Sequence, residues 1–364
     1  MKTPALPLLA LLSLSPAVLA DTIVRADGKV LEDVTIVAET LTQVEYKKGS
    51  NTQFVKSEDV LSVSFERSPR LVDEALGLLA EGDVISALEG LDDYVAGQIE
   101  RPNERRYKWA PAFAAWKVVE LRMQVADVLG ARGAATRLIK NFPDSRYLPM
   151  AYLARAEAEL MAQKESDAKK TLENFSSLIR SKNLSKRWDL ECRLALIQAD
   201  SGRSGDAKRT DLAGIAREAG SEFPGVTSRA QVVEGETWLA EAEASRDPNA
   251  ARDLRSKARR AFEAIVDDPN ASDATLAGAL AGMGDCLFYE GAEKNDTETL
   301  QAAVKNYLRV VTIYEEQTRY VPKSLFFAMR SFDLMQDRRR KSDMKRELKT
   351  LFPGSHWASE ADKF

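Results

Sequence analysis

The sequence predicts a mainly α protein, in which a small β-sheet or barrel module precedes an α-solenoid, a curved stack of helix hairpins. Short β-rich runs separated by turn residues occupy only positions 21–66. From Pro69 to residue 364, apolar residues recur at the spacing of amphipathic helices, and the connections between helical segments are short. Small and large apolar residues also recur in a fixed order within this helical region, which is typical of a repeat protein.

The first twenty residues have the features of a secretory signal peptide. One positive charge at Lys2 precedes an apolar run from Ala5 to Leu14, and small residues precede a predicted cleavage after Ala20. The apolar run is too short to span a bilayer, and no later stretch approaches the roughly 20 apolar residues that a membrane helix needs. We therefore expect a chain that begins at Asp21, is periplasmic or secreted, and has no transmembrane segment.

Composition narrows the class of partner. Charged residues make up 30% of the chain with both signs mixed, and the formal charge of −4 becomes −5 without Lys2. This balance predicts a well-solvated surface and no bulk attraction to nucleic acid.

Two cysteines, Cys192 and Cys286, are too few for a disulfide scaffold. We expect two buried thiols, and a disulfide between them is the alternative.

Four strands are predicted in the module of residues 21–66. They are Thr22 to Arg25, Val34 to Val37, Gln43 to Tyr46 and Leu61 to Phe65, with turns at Asp27-Gly28 and Gly49-Ser50-Asn51. The alternation of apolar residues predicts a core of Val34, Ile36, Val44, Tyr46, Leu61, Val63 and Phe65. A core of this size gives little stability alone, so we expect the module to pack on the helix that holds Leu71, Ala75 and Leu78 and to cap the array.

A recurring order of residue types divides the helical region of residues 69–364. Its fullest copy has Ala75, Leu78, Gly82-Asp83, Ala87 and Leu91. Partial copies are Ala156, Ala168 and Leu172; Ala195, Gly202 and Ala207; Trp238, Ala258, Phe262 and Pro269; and Gly284, Leu287, Gly291, Ala303 and Tyr307. Phe-Pro phrases that begin at Phe142, Phe223 and Phe352 are predicted to end one helix before the next begins.

Residues 69 to 357 resemble the tetratricopeptide repeat (TPR) superfamily, in which small residues at these positions let two helices approach closely. The front module is similar to the short Sm-like or SH3-like β modules of bacterial envelope proteins, through the run Asp27-Gly28-Lys29-Val30-Leu31. The phrases at 141–147 and 351–358 look like those of periplasmic repeat proteins that serve outer-membrane assembly and envelope constriction. The resemblance implies a TPR-like solenoid that binds other proteins in the cell envelope.

The sequence offers little for catalysis. The single histidine, His356, follows a helix-ending motif, so we expect it at a helix start or in solvent and not in a metal cluster. No phosphate-binding glycine loop, nucleophile elbow or dinucleotide fingerprint occurs. The acidic pairs Asp92-Asp93 and Asp267-Asp268 lack the ligand spacing of a calcium loop, and solvated helix ends are expected there. We therefore expect no enzyme, no cofactor and no metal.

One basic run near the C terminus is a candidate binding site. It comprises Arg338, Arg339, Arg340 and Lys341 and extends to Lys345, Arg346 and Lys349. Clustered cations gain affinity for anionic surfaces by releasing counterions. Because Asp337, Asp343 and Glu347 interrupt the run, the alternative is the solvated outer face of the last long helix.

The favoured hypothesis is a non-catalytic scaffold that binds proteins or peptides through the concave face of the array. The alternative is a cell-envelope structural adaptor that associates with peptidoglycan or an anionic surface through the basic helix. High salt should weaken the adaptor's binding sharply and apolar binding in a groove much less. Five tryptophans are spread through the array, and those on the concave face would be the anchors for a partner.

Overall fold

The computed structural model describes residues 20–268 and 271–364, which form five β-strands followed by fifteen α-helices. The strands are β1 (Asp21–Arg25), β2 (Val30–Glu39), β3 (Gln43–Lys48), β4 (Asn51–Lys56) and β5 (Val60–Ser64). The helices are α1 (Arg70–Ala80), α2 (Val84–Glu100), α3 (Ala110–Gln124), α4 (Val128–Asn141), α5 (Leu148–Met161), α6 (Glu165–Lys182), α7 (Lys186–Gln198), α8 (Gly205–Ala219), α9 (Pro224–Ala244), α10 (Pro248–Val266), α11 (Asp273–Lys294), α12 (Thr297–Ile313), α13 (Val321–Leu334), α14 (Arg338–Leu351) and α15 (His356–Ala361). The predicted fold class, a small sheet before a helical solenoid, is confirmed. The predicted signal peptide, apart from Ala20, and Pro269 lie outside the described residues.

The strands form one antiparallel sheet in the order β4-β3-β2-β1-β5. Gly28, with φ of +78°, and Gly49, with φ of +62°, adopt the left-handed conformation in the predicted turns, where glycine has no steric penalty. Strand β4 was missed by the sequence analysis because its residues are mostly polar and exposed, so that no apolar alternation marks it.

The buried face of the sheet differs from the prediction at one strand. Four of the predicted core residues are buried, and two are partly buried; the former are Val34, Ile36, Val44 and Tyr46, and the latter are Val63 and Phe65. The prediction for Leu61 is wrong, because its side chain is 58% exposed. Val24 pairs with Ser62 but Arg25 pairs with Val60, so the register of β1 and β5 shifts there and Val60 is buried in place of Leu61.

The helices form two layers. Consecutive helices pack against each other, and the odd-numbered helices from α3 to α13 also contact the next odd-numbered helix. These odd-numbered helices therefore form the inner layer of the stack, and the even-numbered helices form the outer layer. A two-layer stack of this kind is curved, and its inner layer lines the concave side.

Helix ends agree with two of the three Phe-Pro predictions. Helices α4 and α14 end directly before Phe142 and Phe352, and each proline follows one residue later. At the third phrase, α8 ends at Ala219 and Pro224 is the first residue of α9. Pro224 therefore starts a helix, a position at which its missing N–H has no intrahelical partner to lose.

Small residues occupy the close contacts between the helices of a hairpin. Ala87 of α2 and Ala168 of α6 are fully buried, as the repeat pattern predicts. The pattern fails in α8, where Ala207 is partly exposed and Asp211 pairs with Arg203. Leu212, one residue later, fills the buried position in that helix.

Replacing Ala87 or Ala168 by leucine is expected to lower the free energy of unfolding by about 1–3 kcal/mol, because the added methylene groups would overpack a filled interface. Chemical denaturation of each variant measures the change. Ala240→Leu in α9 is the matched control, because Ala240 is exposed. Unchanged stability of both buried variants would contradict the assigned repeat register.

The sheet lies along one edge of the array, where the inner helices begin. The ring of Phe65 stacks on Trp109 at the start of α3, with ring centroids 3.3 Å apart. Arg187, in the first turn of α7, donates a hydrogen bond to the backbone oxygen of Glu58 at 3.2 Å. The module therefore spans several hairpins.

The predicted contact with α1 describes only part of this interface. Val72 and Ala75 of α1 belong to the hydrophobic cluster that also contains the core of the sheet. The module therefore contacts the predicted helix, although Leu71 of that helix is itself 44% exposed. The module is an edge element of the array and not merely a cap on its first helix.

A buried ion pair also joins the sheet to the corner between α4 and α5. Arg146 Nε lies 2.5 Å from Glu39 Oε1, and the Tyr147 hydroxyl donates to Glu39 Oε2 at 2.9 Å. Only 7% of the Arg146 side chain and 1% of the Glu39 side chain are exposed. Beside them, the Leu41 amide donates to the backbone oxygen of Asp144 at 2.6 Å.

The two ends of the array contact each other. The Thr318 hydroxyl, between α12 and α13, donates to the backbone oxygen of Met123 at 2.8 Å, although 195 positions separate them. Ala126, in the turn between α3 and α4, is buried in the hydrophobic cluster of the last helices. The curvature of the stack therefore brings its last hairpins back to its first ones, around a central space lined by inner helices.

Candidate functional site

Residues 314–320, which we call the crossing segment, connect α12 to α13 and lie on the concave side of the array. Two guanidinium nitrogens of Arg319 lie 2.8 and 3.2 Å from the side-chain oxygen of Gln198, in the amide orientation that satisfies both groups. The same guanidinium lies 3.6 Å from Glu236 of α9. With Thr318 bonded to Met123, the segment contacts α3, α7 and α9 at once.

A glycine of α11 makes room for this segment. A Cβ atom at Gly278 would lie 2.8 Å from the Tyr320 hydroxyl oxygen and 2.9 Å from Val232 Cγ1. Both distances are shorter than carbon atoms tolerate, so only glycine lets the Tyr320 ring approach this closely. Helix α11 therefore leaves space on the concave side for the crossing segment.

Three neighbouring cavities follow the concave side. A central cavity of about 230 Å³ shares Glu157, Gln317 and Arg319 with a cavity of about 710 Å³. We call the larger one the Trp116 cavity. On its other side, the central cavity shares Glu191 and Arg229 with a cleft of about 760 Å³ beside the sheet, the sheet cleft. The crossing segment separates the Trp116 cavity from the central one.

The Trp116 cavity combines apolar walls with a polar rim. Its lining includes Leu79, Val84, Leu121 and Met123 together with the exposed Gln124. The Trp116 ring is half-buried and stacks on Tyr147, with centroids 6.2 Å apart and planes 10° apart. Tryptophan is enriched among the residues that anchor protein interfaces, and the Trp116 ring has one side open to this cavity.

The other four tryptophans lie elsewhere. Trp109 is buried under Phe65, and Trp357 packs against Phe326. Trp188 lies under the Arg187 guanidinium, and Arg209 and Lys257 both lie over the Trp238 ring. Of the five rings, only Trp116 lines a cavity of the concave side.

The central cavity is lined by both signs of charge. Arg229 pairs with Glu191, while Arg319 lies near Glu236 at its wall. Burial, together with the nearby Arg187, lowers the pKa of Arg229 to about 10. The cavity volume is small for a peptide, and its opposite charges are partly neutralised by each other.

A largely buried cluster of three polar side chains joins the helices of the last hairpins. Asp285 of α11 accepts hydrogen bonds from the Tyr307 hydroxyl at 2.8 Å and from Lys323 Nζ at 2.5 Å. The Asp285 side chain is almost fully buried. Since these partners belong to α12 and α13, the group ties three consecutive helices together.

The basic run predicted as a binding site forms α14, in the outer layer and apart from the concave cavities. Five of its seven cations lie near carboxylates: Arg340 near Asp337, Lys341 near Asp333, Arg346 near Asp343, and Lys345 and Lys349 near Asp362. Arg338 and Arg339 are exposed, and within residues 20–268 and 271–364 neither has an ion pair. The structure thus partly neutralises the charge of the run.

The residues considered for chemistry lie apart from one another. His356 is exposed at the first position of α15, as predicted. Cys192 and Cys286 are free and buried, which confirms thiols over a disulfide, and burial raises the pKa of each to about 12. Asp92 was expected at a solvated helix end, but it lies within α2 and pairs with Arg122 and Arg137.

The sequence analysis missed the residues of the crossing segment and those that meet it. No local signal marks Thr318 or Arg319, because their partners at Met123 and Gln198 are far away in the sequence. The five tryptophans were noted as possible anchors, but the sequence could not show that Trp116 is the one that faces a concave cavity.

Across the part of the chain that the structure describes, none of the helices combines the length and apolar character needed to cross a membrane. Nor do three metal-binding side chains come together in that part. No protein-family model matches this sequence, and a search of curated proteins finds no match to it either.

Proposed function

We propose that this protein is a non-catalytic scaffold that holds a segment of another protein on the concave side of a TPR-like solenoid, at the Trp116 cavity. The observation that carries the proposal is the half-buried ring of Trp116, which opens on a concave cavity of about 710 Å³. A volume of this size is typical of sites that bind ligands. The TPR-like assignment is supported by the buried Ala87 and Ala168 and by the left-handed Gly82 between α1 and α2.

The crossing segment limits what the site accepts. It divides the concave side, so a partner has the Trp116 end available and not the full length of the array. This favours a short extended segment with an apolar anchor over a long helix. The Sm-like character of the sheet, export through the N-terminal signal and a place in the cell envelope are further parts of this proposal, and they rest on the sequence.

The alternative, an envelope adaptor that binds an anionic surface through α14, has less support. Of the seven cations of the basic run, only Arg338 and Arg339 are exposed and have no ion pair within the described residues. Surface cations that are already paired gain less from an external anion. Binding that disappears at high salt and is insensitive to Trp116 would favour the adaptor.

Replacing Trp116 by alanine is expected to reduce partner capture by at least about tenfold, because a central aromatic anchor contributes most of the affinity of such an interface. A photo-cross-linking residue at the exposed Gln124 measures capture in cells of the native host. Trp238→Ala is the matched control, because that ring lies outside the concave cavities. A cross-linker at the exposed Lys170 of α6 reports the background on the outer layer.

Three results decide the proposal. Discrete adducts from position 124 that Trp116→Ala removes and Trp238→Ala retains would support it, provided that both variants keep their melting temperature. The same adducts from position 170, or adducts from position 124 that survive Trp116→Ala, would refute the site.

A further inference from the structure

Besides the Trp116 cavity, the described part of the chain has another large opening, the sheet cleft. Glu58 and Leu61 line it from the module, and the first turns of α7 and α9 line it from the array. Its volume is about 760 Å³. It opens beside the sheet and not at Trp116, so its role is independent of the proposed function.

Arg187 is the residue of this cleft that points most clearly to a ligand. Its guanidinium is half-buried and lies over the Trp188 ring, 5.1 Å from the centroid. One nitrogen donates to the backbone oxygen of Glu58. No carboxylate of residues 20–268 and 271–364 lies within 4 Å of this cation, although the more distant Glu58 carboxylate acts to raise its pKa. A guanidinium has five N–H donors, so most of those of Arg187 are free to bind a group in the cleft.

The nearby charges leave Arg187 as the cation without a partner. Lys56 lies 3.6 Å from Glu58, Lys186 lies 3.9 Å from Glu222, and Arg229 pairs with Glu191. Asp59 adds a further acidic group to the lining. Burial lowers the pKa of Arg187, and an anion next to it would oppose this effect.

The starts of α7 and α9 add a second favourable feature for an anion. Neither Ser185 nor Phe223, the residues that precede these helices, caps its helix with a side-chain hydrogen bond. The Ser185 hydroxyl is buried and has no hydrogen-bond partner. Free N–H groups at helix starts carry partial positive charge, so they attract the same kind of ligand as Arg187. In α9, Pro224 has no N–H, so the first free one belongs to Gly225.

The acidic and apolar residues of the cleft narrow the class of anion. Its four carboxylates balance its four cations, so the lining has no surplus positive charge to compensate the second charge of a phosphate, and a singly charged carboxylate is favoured. Leu61, which is exposed, and the buried Val226 supply apolar walls. A carboxylate attached to an apolar group matches both kinds of surface.

We propose that the sheet cleft binds a singly charged carboxylate with an apolar substituent, held by Arg187 and by the starts of α7 and α9. The carboxylate accepts hydrogen bonds from the guanidinium, and the substituent packs against Leu61 and Val226. Such a group occurs at the C terminus of a protein chain and in small organic acids.

Nuclear magnetic resonance of the full-length protein tests this proposal through the Nε–H signal of Arg187, assigned by its absence in Arg187→Lys. The probes are N-acetyl-leucine, its uncharged amide, a hexapeptide that ends in leucine with a free carboxylate, and inorganic phosphate, all at constant ionic strength. We expect a saturable shift with the two carboxylates and none with the amide. Both variants lack this signal, so the indole N–H signal of Trp188, the ring under Arg187, follows their titrations. Arg187→Gln should weaken binding about tenfold or more, and Arg187→Lys should weaken it less.

Controls separate this site from general charge effects and from loss of folding. The Nε–H signal of Arg252, an exposed residue of α10, should not saturate with any probe. Arg187→Lys keeps the charge, so it reports on binding even if Arg187→Gln loses contact with the sheet.

Tighter binding of the hexapeptide would identify a protein C terminus as the source, and equal binding would identify a small acid. Equal binding of the amide, tighter binding of phosphate, or binding unchanged in Arg187→Gln would overturn the proposal.

Discussion

Deleting residues 21–66 is expected to lower the melting temperature of the helical array by about 10 °C or more and to promote aggregation. The sheet covers Trp109, Phe113 and Tyr147, which belong to the same hydrophobic cluster as its own core. Uncovering three aromatic rings removes on the order of 5 kcal/mol of stabilisation. In a chain of this size that loss corresponds to a shift of roughly 10 °C or more. Calorimetry and light scattering of the chain that begins at Pro69 measure both effects.

Two full-length variants separate the covering of the array from other effects of the deletion. Phe65→Ala removes the ring that stacks on Trp109, so we expect it to reproduce part of the loss. Phe54→Ala removes an exposed ring of the same sheet and should have little effect. A truncated chain that stays monomeric and melts at the original temperature would show that the module is an independent appendage.

Replacing Glu39 by glutamine is expected to destabilise the protein by about 3–5 kcal/mol, because the buried Arg146 would lose its counter-charge. Tyr147 would also lose its carboxylate acceptor. Chemical denaturation, followed through the fluorescence of the tryptophans near the sheet, measures the change. Thermal melting provides a second measurement of the same loss.

The double variant Glu39→Met with Arg146→Met distinguishes the cost of an unpaired charge from the value of the pair. Apolar residues at both positions leave no buried charge, so we expect the double variant to be more stable than Glu39→Gln. Glu89→Gln in the exposed part of α2 is the matched control and should change little. A double variant as unstable as the single one would show that the ion pair contributes more than charge compensation.

Helical segments were predictable where their own apolar spacing was regular. Phe113, Trp116 and Val119 are spaced by three residues each, which predicts that they share one apolar helix face. Phe113 and Val119 of α3 are buried, yet Trp116 is only half-buried. The difference arises because an inner helix contacts neighbours on more than one side, while one side remains open to the concave cavity. Periodicity reports that a residue is apolar and on one face, but it does not report whether another element covers that face.

Strands were predictable only where polar and apolar residues alternate. Strand β3 has this pattern, with Val44 and Tyr46 buried, and β4 does not. The Val60 side chain is buried because the register shifts between β1 and β5. Such a shift is a property of the pairing and not of either strand alone. The sheet was therefore expected as a whole, while its last strand was misassigned by one residue.

The sequence by itself determined the class of this protein, a small sheet followed by stacked helix hairpins, because helix spacing, turn glycines and small contact residues such as Ala87 act between near neighbours in the chain. Only the tertiary structure decided where the sheet lies, how Thr318 reaches Met123, and which cavities result. These features depend on the accumulated curvature of many hairpins, and small rotations at each one decide which distant residues meet. The candidate sites at Trp116 and Arg187 belong to this second group, since each exists only where separate parts of the chain come together.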